Sequence, residues 1–261
     1  MKITLFTSNK NRHNYLINLL SDVCDELFVV QECSTVFTGL VPDRYPATEL
    51  MKMYFEKVNN AQLNQFGNCY INTKKKVNFM PLAYGDLNKC SLSMLSDFLK
   101  SHIYIIFGGS YIKGPLADFL VNNKAINIHM GVSPYYRGTD CNFWALYDNN
   151  PHLVGSTIHM LSKGLDDGPV LYHALSKIKT SPFDYTMSCV KAAFHSLKEK
   201  IENNLIFQIE PQIQKRSAEI RYSKRKEFDE NIIKTFFEKN IDLNSKPFDR
   251  SLLKDPFFFD N

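Results

Sequence analysis

With 261 residues, of which 44% are hydrophobic, the chain can bury the core of one large domain, or of one domain with a small appendage. Its formal net charge of +4 is too small to indicate a dedicated nucleic-acid-binding protein. The six cysteines are scattered and form no CxxC pair, which argues against a zinc site or a disulfide framework and favours the reducing cytoplasm. The sequence has no signal-peptide pattern and no apolar run of about 18 residues, which argues against a membrane partner.

The chain opens with a β-α-β pattern. Residues 2–7 and 26–31 read as strands, and between them Leu16, Leu19 and Leu20 recur at helical spacing. A crossover helix between two strands makes them parallel. No G-x-G-x-x-G pattern occurs anywhere in the chain, which argues against a dinucleotide site of the usual kind.

The clearest strand of the chain lies in its middle. His102–Gly109 is nearly all apolar and ends in two glycines, as expected of a buried parallel strand. Before it, we predict an irregular loop over 32–46, a helix over 46–61 and a helix from Asn88 or Ser91 to Leu99, whereas residues 67–90 give no clear pattern. After it, we predict a helix over 115–121, a short strand over 125–129, a helix over 140–147, strands over 153–160 and 169–174, and a long helix over 183–203.

These elements together predict an α/β fold, with a Rossmann-like, mostly parallel sheet and helices on both faces. Residues 1–204 would form this domain, and residues 205–261 a small C-terminal extension. Within the extension we expect a strand or hairpin over 206–214 and a helix over 227–239. Three consecutive phenylalanines, Phe257–Phe259, should pack back onto the domain or join a subunit interface, because such a run is seldom exposed to water.

Asn127 and His129 stand at the end of the short strand that begins near residue 125. Positions i and i+2 of a strand point to one face, so an amide and an imidazole would lie side by side where the strand ends. The turn Pro134-Tyr-Tyr-Arg-Gly138 follows, and Leu165-Asp-Asp-Gly168 lies further on. Such a strand end is where α/β enzymes carry their chemistry.

These three motifs, in this order, resemble those of the folate-dependent formyltransferase family, firmly over residues 101–180. The family includes glycinamide ribonucleotide, methionyl-tRNA and nucleotide-sugar N-formyltransferases. The resemblance implies a Rossmann-like fold and 10-formyltetrahydrofolate as the co-substrate, with no metal. It also implies that one turn and one loop line the pterin pocket, with the residues Phe107, Gly108, Tyr111, Ile112, Leu161, Gly164 and Leu165.

The same resemblance assigns catalytic roles to Asn127, His129 and Asp166. An amide N–H can stabilise the oxyanion that forms when an amine attacks a formyl carbon. A histidine can stabilise that oxygen or carry protons near neutral pH, and a carboxylate can stabilise the imidazolium. Asp167 is the alternative carboxylate. We interpret three further histidines as structural: His159, His173 and His195.

The acceptor is an amine whose identity the motifs leave open. Candidate acceptor-binding residues are Arg12, His13, Tyr135, Arg137 and Trp144; Arg12 and His13 could meet a phosphate, although they could also be solvated residues near a helix start. The extension holds 11 Lys/Arg against 10 Asp/Glu, so it is nearly neutral and does not favour an RNA partner.

We therefore favour a nucleotide-linked amino sugar as acceptor and, by resemblance to sugar enzymes with short extensions, a homodimer. The alternatives are a methionyl-tRNA or glycinamide ribonucleotide formyltransferase, a 10-formyltetrahydrofolate hydrolase, and a non-catalytic folate-binding protein.

Overall fold

Eight strands form one sheet through the middle of the computed structural model, which describes residues 1–260. Along the sheet the order is β10 (Phe257–Phe259), β8 (Val170–Ser176), β7 (Ser156–Met160), β5 (Ile126–His129), β4 (Ile103–Ile106), β1 (Lys2–Thr7), β2 (Glu26–Cys33) and β3 (Lys76–Ala83). Within this sheet β7 alone runs opposite to its neighbours, because β5 and β8 both pair with it in antiparallel register and the other neighbours pair in parallel.

Helices cover both faces of the sheet. They are α1 (Asn11–Asp22), α2 (Glu49–Phe66), α3 (Gly114–Asn122), α4 (Cys141–Tyr147), α5 (Pro182–Glu202) and α6 (Glu230–Glu238). Ile3 and Leu5 point to the face that packs against α1 and α5, whereas Phe6 points to the face that packs against α3. The predicted fold class, a mostly parallel Rossmann-like sheet with helices on both faces, is therefore confirmed.

Local sequence signals explain where the long helices begin and end. The Thr48 hydroxyl accepts a hydrogen bond from the Met51 amide at the start of α2, and Gly67, with a φ of +66°, ends that helix. The Ser181 hydroxyl caps α5, and Pro182 occupies its first position, where a missing N–H costs nothing. The predicted helix over 183–203 is confirmed by α5.

Two local predictions are wrong. The segment from Asn88 to Leu99 forms a 3₁₀ turn and further turns instead of a helix, although the Ser91 hydroxyl accepts from the Met94 amide as a helix N-cap would. The expected strand or hairpin over 206–214 is reduced to a 3₁₀ turn and a single bridge between Gln212 and Val170, since Pro211 offers no N–H to a ladder.

The extension packs onto the domain at three places. Phe228 and Phe236 share an apolar cluster with Tyr54 of α2 and Phe143 of α4. A separate two-stranded sheet joins β6 (Tyr136–Gly138) to β9 (Arg221–Ser223) in parallel. The Phe257–Phe259 run packs back on the domain as β10, with Phe259 stacked on His195 at 4.8 Å.

The chain reverses its direction of travel across the sheet at β1, which has β2 on one side and β4 on the other. The loops that leave β1 and β4 therefore separate and open a crevice at the carboxyl ends of these strands. His13 and Phe107 meet there, with ring centroids 4.8 Å apart. This crevice is where the sheet topology puts a ligand site.

Candidate active site

Asn127 and His129 lie at the end of β5, and both reach one oxygen of Asp166. The Asn127 amide nitrogen and the His129 Nδ1 atom each lie 3.4 Å from Asp166 Oδ1. The structure therefore brings together the three side chains that the sequence assigned to catalysis. Asp167 points elsewhere, toward Ser162 and the Arg216 guanidinium, and does not reach the pair.

Asp166 is held in an uncommon backbone conformation, with a φ of +50°. Its second oxygen accepts a hydrogen bond from the Gly138 amide at 3.3 Å. Burial opposes ionisation of this carboxyl, but the neighbouring His129 and His159 and the Gly138 amide outweigh it and lower its pKa. Asp166 is thus an anion at neutral pH.

Both ring nitrogens of His129 face acceptors, since Nε2 lies 3.1 Å from the Tyr136 carbonyl oxygen and Nδ1 faces Asp166. Burial lowers the pKa of His129, so the ring is neutral at pH 7. A neutral imidazole carries one N–H, so one of these two contacts lacks a proton. A proton arriving at His129 would therefore meet an acceptor that is already in position.

His159, which the sequence reading assigned to the structural core, belongs to this site. It is 1% exposed on β7, directly opposite Asn127 in the antiparallel pair. Its Nδ1–H donates to the Met160 carbonyl at 2.8 Å, so Nε2 accepts from the Asn127 amide at 3.0 Å. His159 thereby fixes the orientation of the Asn127 carboxamide. The antiparallel direction of β7, which creates this contact, was not apparent in the sequence.

One cavity of about 320 Å³ contains these side chains, and we call it the strand-end cavity. All ten residues that the resemblance assigned to catalysis and cofactor binding line it: Phe107, Gly108, Tyr111, Ile112, Asn127, His129, Leu161, Gly164, Leu165 and Asp166. Apolar side chains and glycine backbone dominate the walls away from the three catalytic candidates. Such walls suit a flat heterocyclic ring.

A buried carboxylate, which the sequence reading missed, shapes one wall of this cavity. Glu32, at the end of β2, is 1% exposed. Its oxygens accept hydrogen bonds from the Ser110 amide at 2.6 Å and from the Gly85 amide at 2.8 Å. Glu32 thus ties the loop after β4 to the loop after β3.

A second cavity of about 280 Å³ adjoins the first, and we call it the basic cavity. Six residues line both cavities: Tyr84, Gly108, Gly109, Met130, Thr139 and Arg225. Four cationic side chains line the basic cavity: Lys10, Arg12, Arg44 and Arg225. Its deeper wall is aromatic, with Tyr54, Phe55, Phe143, Phe183 and Phe236. Arg225 comes from the extension, so both parts of the chain build this cavity.

The cations of the basic cavity are poorly compensated. Burial, reinforced by Arg12 and Arg44, lowers the pKa of Lys10 to about 7, and burial beside Arg44 lowers that of Arg12 to about 10. The Nε atoms of Arg12 and Arg44 are buried without a hydrogen-bond partner, and the carboxylate of Asp43 lies 3.7 Å from the Arg44 Nε atom as an ion-pair partner. Asp140 is the only acidic residue of the described chain that lines this cavity. An anionic ligand would relieve these charges.

The structure brings only two of the five candidate acceptor-binding residues to this cavity. Arg12 and His13 line it, whereas Tyr135, Arg137 and Trp144 do not. Tyr135 donates to the Leu252 carbonyl, and Arg137 is 6% exposed and forms an ion pair with Glu219 at 2.7 Å. Trp144 is 1% exposed, beneath the Arg221 guanidinium. The inner position of Trp144 on α4 is as predicted, but it turns the indole into the core instead of toward a ligand.

Among residues 1–260, no group of three or more His, Cys, Asp or Glu side chains is arranged to hold a metal ion. Over the same residues, no helix is long and apolar enough to cross a membrane.

Comparisons with known proteins agree on one family. Residues 116–206, which contain Asn127, His129 and Asp166, match the family model described as Formyl transferase. The fold is similar to that of the formyltransferase PseJ from Anoxybacillus kamchatkensis, crystallised with UDP-4,6-dideoxy-4-formamido-L-AltNAc and tetrahydrofolate; the sequences are 18% identical, 87% of each chain is covered and the TM-score is 0.51. The resemblance to formyltransferases predicted from the motifs is confirmed by the family model over residues 116–206, and the structural likeness shows a shared fold.

Two further solved structures share the fold. One is the N-formyltransferase from Helicobacter canadensis in complex with folinic acid and dTDP-3-aminofucose, with 13% identity, 90% of this chain and 79% of that chain covered, and a TM-score of 0.52. The other is phosphoribosylglycinamide formyltransferase from Anaplasma phagocytophilum, with 15% identity, 80% of this chain and 88% of that chain covered, and a TM-score of 0.50. Sugar and ribonucleotide enzymes are therefore both among the proteins that this chain resembles.

Proposed function

We propose that this chain, whose residues 116–206 match the formyl transferase family, moves the formyl group of 10-formyltetrahydrofolate to the primary amine of a nucleotide-linked amino sugar. One observation carries the proposal: the ten residues assigned to catalysis and cofactor binding line a single cavity, and that cavity adjoins a second one lined by cations. The folate would occupy the strand-end cavity, and the acceptor the basic cavity.

The proposed reaction exchanges one bond for another. The amine nitrogen forms a bond to the formyl carbon, and the bond from that carbon to the folate N10 breaks. One proton leaves the amine and one arrives at N10. Preorganised N–H donors for the negative oxygen that develops between these events typically contribute a few kcal/mol each, about 3 kcal/mol in measured cases.

The three catalytic candidates can meet these demands. The Asn127 amide would turn one N–H from the long 3.4 Å contact with Asp166 toward the developing oxyanion, while His159 keeps the other N–H engaged. His129 is neutral at pH 7 and can accept the proton that the amine releases. Asp166 and the Tyr136 carbonyl would then stabilise the imidazolium from both sides.

The charges of the basic cavity support an acceptor that carries phosphate. Lys10, Arg12, Arg44 and Arg225 lie on its wall with little acidic compensation, and guanidinium groups bind phosphate oxygens well. The aromatic wall offers an apolar surface for a deoxysugar or a base. The sugar-nucleotide complexes of two structural neighbours agree with this choice of acceptor.

The same charges favour a second candidate acceptor, glycinamide ribonucleotide, which also carries an amine and a phosphate. A formyltransferase of that class shares the fold. Both candidates fit a cytoplasmic enzyme, a location that the six unpaired cysteines support. A homodimer remains a prediction.

Calorimetric titration with the stable analogue 5-formyltetrahydrofolate tests the folate part of the proposal. We expect saturable binding at one site per chain. The titration is repeated with amino-sugar nucleotides present, in case the acceptor binds first. Absence of binding at millimolar ligand in both titrations would refute the transferase hypothesis.

A product assay with 10-formyltetrahydrofolate then identifies the acceptor. Formamide production from an amino-sugar nucleotide supports the proposal, and production only from glycinamide ribonucleotide or methionyl-tRNA replaces it with that alternative. Release of formate without any amine would identify a hydrolase. Folate binding with neither product would indicate a non-catalytic folate-binding protein.

A further inference from the structure

A segment of the extension, residues 214–223, lies across the back of the loop that carries Asp166, and we call it the strap. At one end Gln214 contacts this loop, and at the other end β9 pairs with β6, whose Gly138 amide binds the Asp166 carboxylate. A Cβ atom at Gly138 would collide with the Ser223 carbonyl oxygen, so the two strands approach as closely as only glycine allows. The strap therefore contacts both supports of Asp166, its own backbone and the amide that binds its side chain.

Gln214 makes the most direct of these contacts. Its amide nitrogen donates to the Asp166 carbonyl oxygen at 2.9 Å and to the Gly168 carbonyl oxygen at 2.8 Å. Carbonyl oxygens only accept, so the amide nitrogen must face them. The other atom of the amide, Oε1, is buried without a partner, which ordinarily destabilises the folded state. The two donated hydrogen bonds therefore explain why a polar side chain occupies this position.

Arg137 reinforces the same loop from the domain side. Its guanidinium donates to the Leu165 carbonyl oxygen at 2.8 Å and to the Asp166 carbonyl oxygen at 3.3 Å. Glu219 of the strap holds the guanidinium in place through the 2.7 Å ion pair. The Asp166 carbonyl thus accepts from Gln214 and Arg137 together.

This reinforcement has a physical reason. A residue other than glycine seldom adopts a φ of +50° unless its surroundings impose that conformation. With a more common φ, the Asp166 side chain would leave the direction that brings Oδ1 to Asn127 and His129. Several donors on one peptide group provide the necessary restraint.

We propose that Gln214 is a positioning residue, which through its two hydrogen bonds to the Asp166 loop keeps the Asp166 carboxylate against His129 and Asn127. The proposal rests on the proposed function for its catalytic meaning. It also gives the extension a task at the active site beyond covering apolar surface. Gln214 itself does not line the strand-end cavity, so it acts only through Asp166.

The test compares Gln214→Met, which keeps the length of the side chain and removes both donors, with the wild-type protein. Gln208→Met is the matched control, because Gln208 is an exposed glutamine of the same extension outside the strap. The first readout is the pH titration of His129 followed by NMR, with its resonance assigned by loss in His129→Ala. This readout needs neither folate nor acceptor, so it is independent of the proposed function.

We expect the His129 pKa to fall in Gln214→Met and to stay at the wild-type value in Gln208→Met, because the Asp166 charge raises the His129 pKa against burial. The fall of the His129 pKa in Asp166→Asn, which removes the carboxylate charge, gives the full size of this effect. An unchanged His129 titration in a folded Gln214→Met protein would overturn the proposal. If Gln214→Met does not fold, Gln214→Ala, which also removes both donors and adds no charge, provides the same comparison.

The second readout is kinetic. With the acceptor identified, Gln214→Met should lower kcat by about 100-fold, the cost of displacing a catalytic group by roughly 1 Å, and should leave folate affinity unchanged. Gln208→Met should retain wild-type kcat. Equal loss of folate affinity and kcat in Gln214→Met would mean a general structural role and would also overturn the proposal.

Discussion

The strand-end cavity and the basic cavity share a wall, but they are assembled in opposite ways. Ten residues of the first come from a stretch of 60 positions, 107 to 166, at the ends of neighbouring strands. The second draws its cations from the loop after β1 and the first turn of α1, from the loop before α2 and from the extension, at Lys10, Arg12, Arg44 and Arg225. Apart from Arg225 on the shared wall, the first has a largely apolar lining around one carboxylate, and the second combines positive charge with aromatic rings.

This difference separates chemistry from acceptor recognition. Bond exchange needs a few groups at fixed distances, and strand ends supply rigid positions for them. Recognition of a large anionic acceptor needs a wide surface, which the tips of distant segments can supply together. Mutations in the two cavities should therefore affect different kinetic constants.

The largest effect should come from the strand-end cavity. His129→Ala and Asp166→Ala should each lower kcat by about 100- to 10,000-fold, the usual contribution of a proton-transferring group, with folate affinity largely retained. Steady-state kinetics and folate calorimetry measure the two quantities. Asp167→Ala is the matched control and should be milder, because Asp167 faces Arg216 and Ser162. Near-wild-type turnover in both main variants would refute the assignment, and a larger loss in Asp167→Ala would transfer the role to Asp167.

A smaller and different effect should come from the basic cavity. Arg225→Gln should raise KM for the acceptor by about 10- to 100-fold, the value of a charged hydrogen bond of about 1.5–3 kcal/mol, with kcat nearly unchanged. Lys226→Gln is the control, since Lys226 is exposed and lines neither cavity. Arg225 lies on the shared wall. If Arg225→Gln weakened folate binding as much as acceptor binding, the two cavities would not have separate functions.

The basic cavity should also respond to pH through Lys10, whose pKa burial lowers to about 7. Below pH 7 the amine is protonated and binds an anion, and above pH 7 it loses that charge. We expect acceptor affinity to weaken by less than about tenfold from pH 6 to pH 8, with proton uptake on binding at pH 7. Calorimetry in buffers of different ionisation enthalpy measures the proton uptake. Lys10→Arg should abolish it; uptake that persists in this variant would assign the titration to another group.

The smallest effect on turnover should come from Trp144, which lies outside both cavities. Trp144→Phe should leave kcat and both KM values unchanged. It should lower the free energy of unfolding by about 0.5–3 kcal/mol, because a smaller ring fills the buried site less well. No hydrogen bond is lost, since the indole N–H has no partner. Denaturant unfolding measures the stability. A rise in the KM for the acceptor would contradict this prediction and support a role for Trp144 in acceptor binding.

The sequence predicted the strand-end cavity well because its signals are local. Asn127 and His129 share one strand, so the two-residue period alone puts them on one face, and the sheet topology then brings the loop of Asp166 beside them. His159 and Glu32 were missed for the opposite reason. His159 acts across a strand pairing, and Glu32 acts between two loops. A single buried histidine or glutamate belongs to no motif with a recognisable spacing in the sequence.

The basic cavity could be predicted only in part. Arg12 and His13 follow β1, and strand ends are expected positions for ligand contacts, so these two were found. Arg44 and Arg225 are 181 positions apart and meet only because α6 and Phe228 pack against α2 and α4. Arg137 and Trp144, predicted to bind the acceptor, are buried and line neither cavity, since a sequence does not tell whether a large side chain turns inward to the core or outward to a ligand.

The short strand β10 has a consequence for the solubility of the protein. Its three phenylalanines pair with Ala174, Leu175 and Ser176, so they occupy the backbone donors and acceptors along the outer edge of β8. Without β10, this edge would expose hydrogen-bonding groups beside apolar side chains, a template on which another copy of the chain could add a strand. A chain truncated after residue 253 should therefore self-associate in light-scattering measurements even if its active site is intact. Three residues that line neither cavity would then decide how concentrated the protein can become before it aggregates.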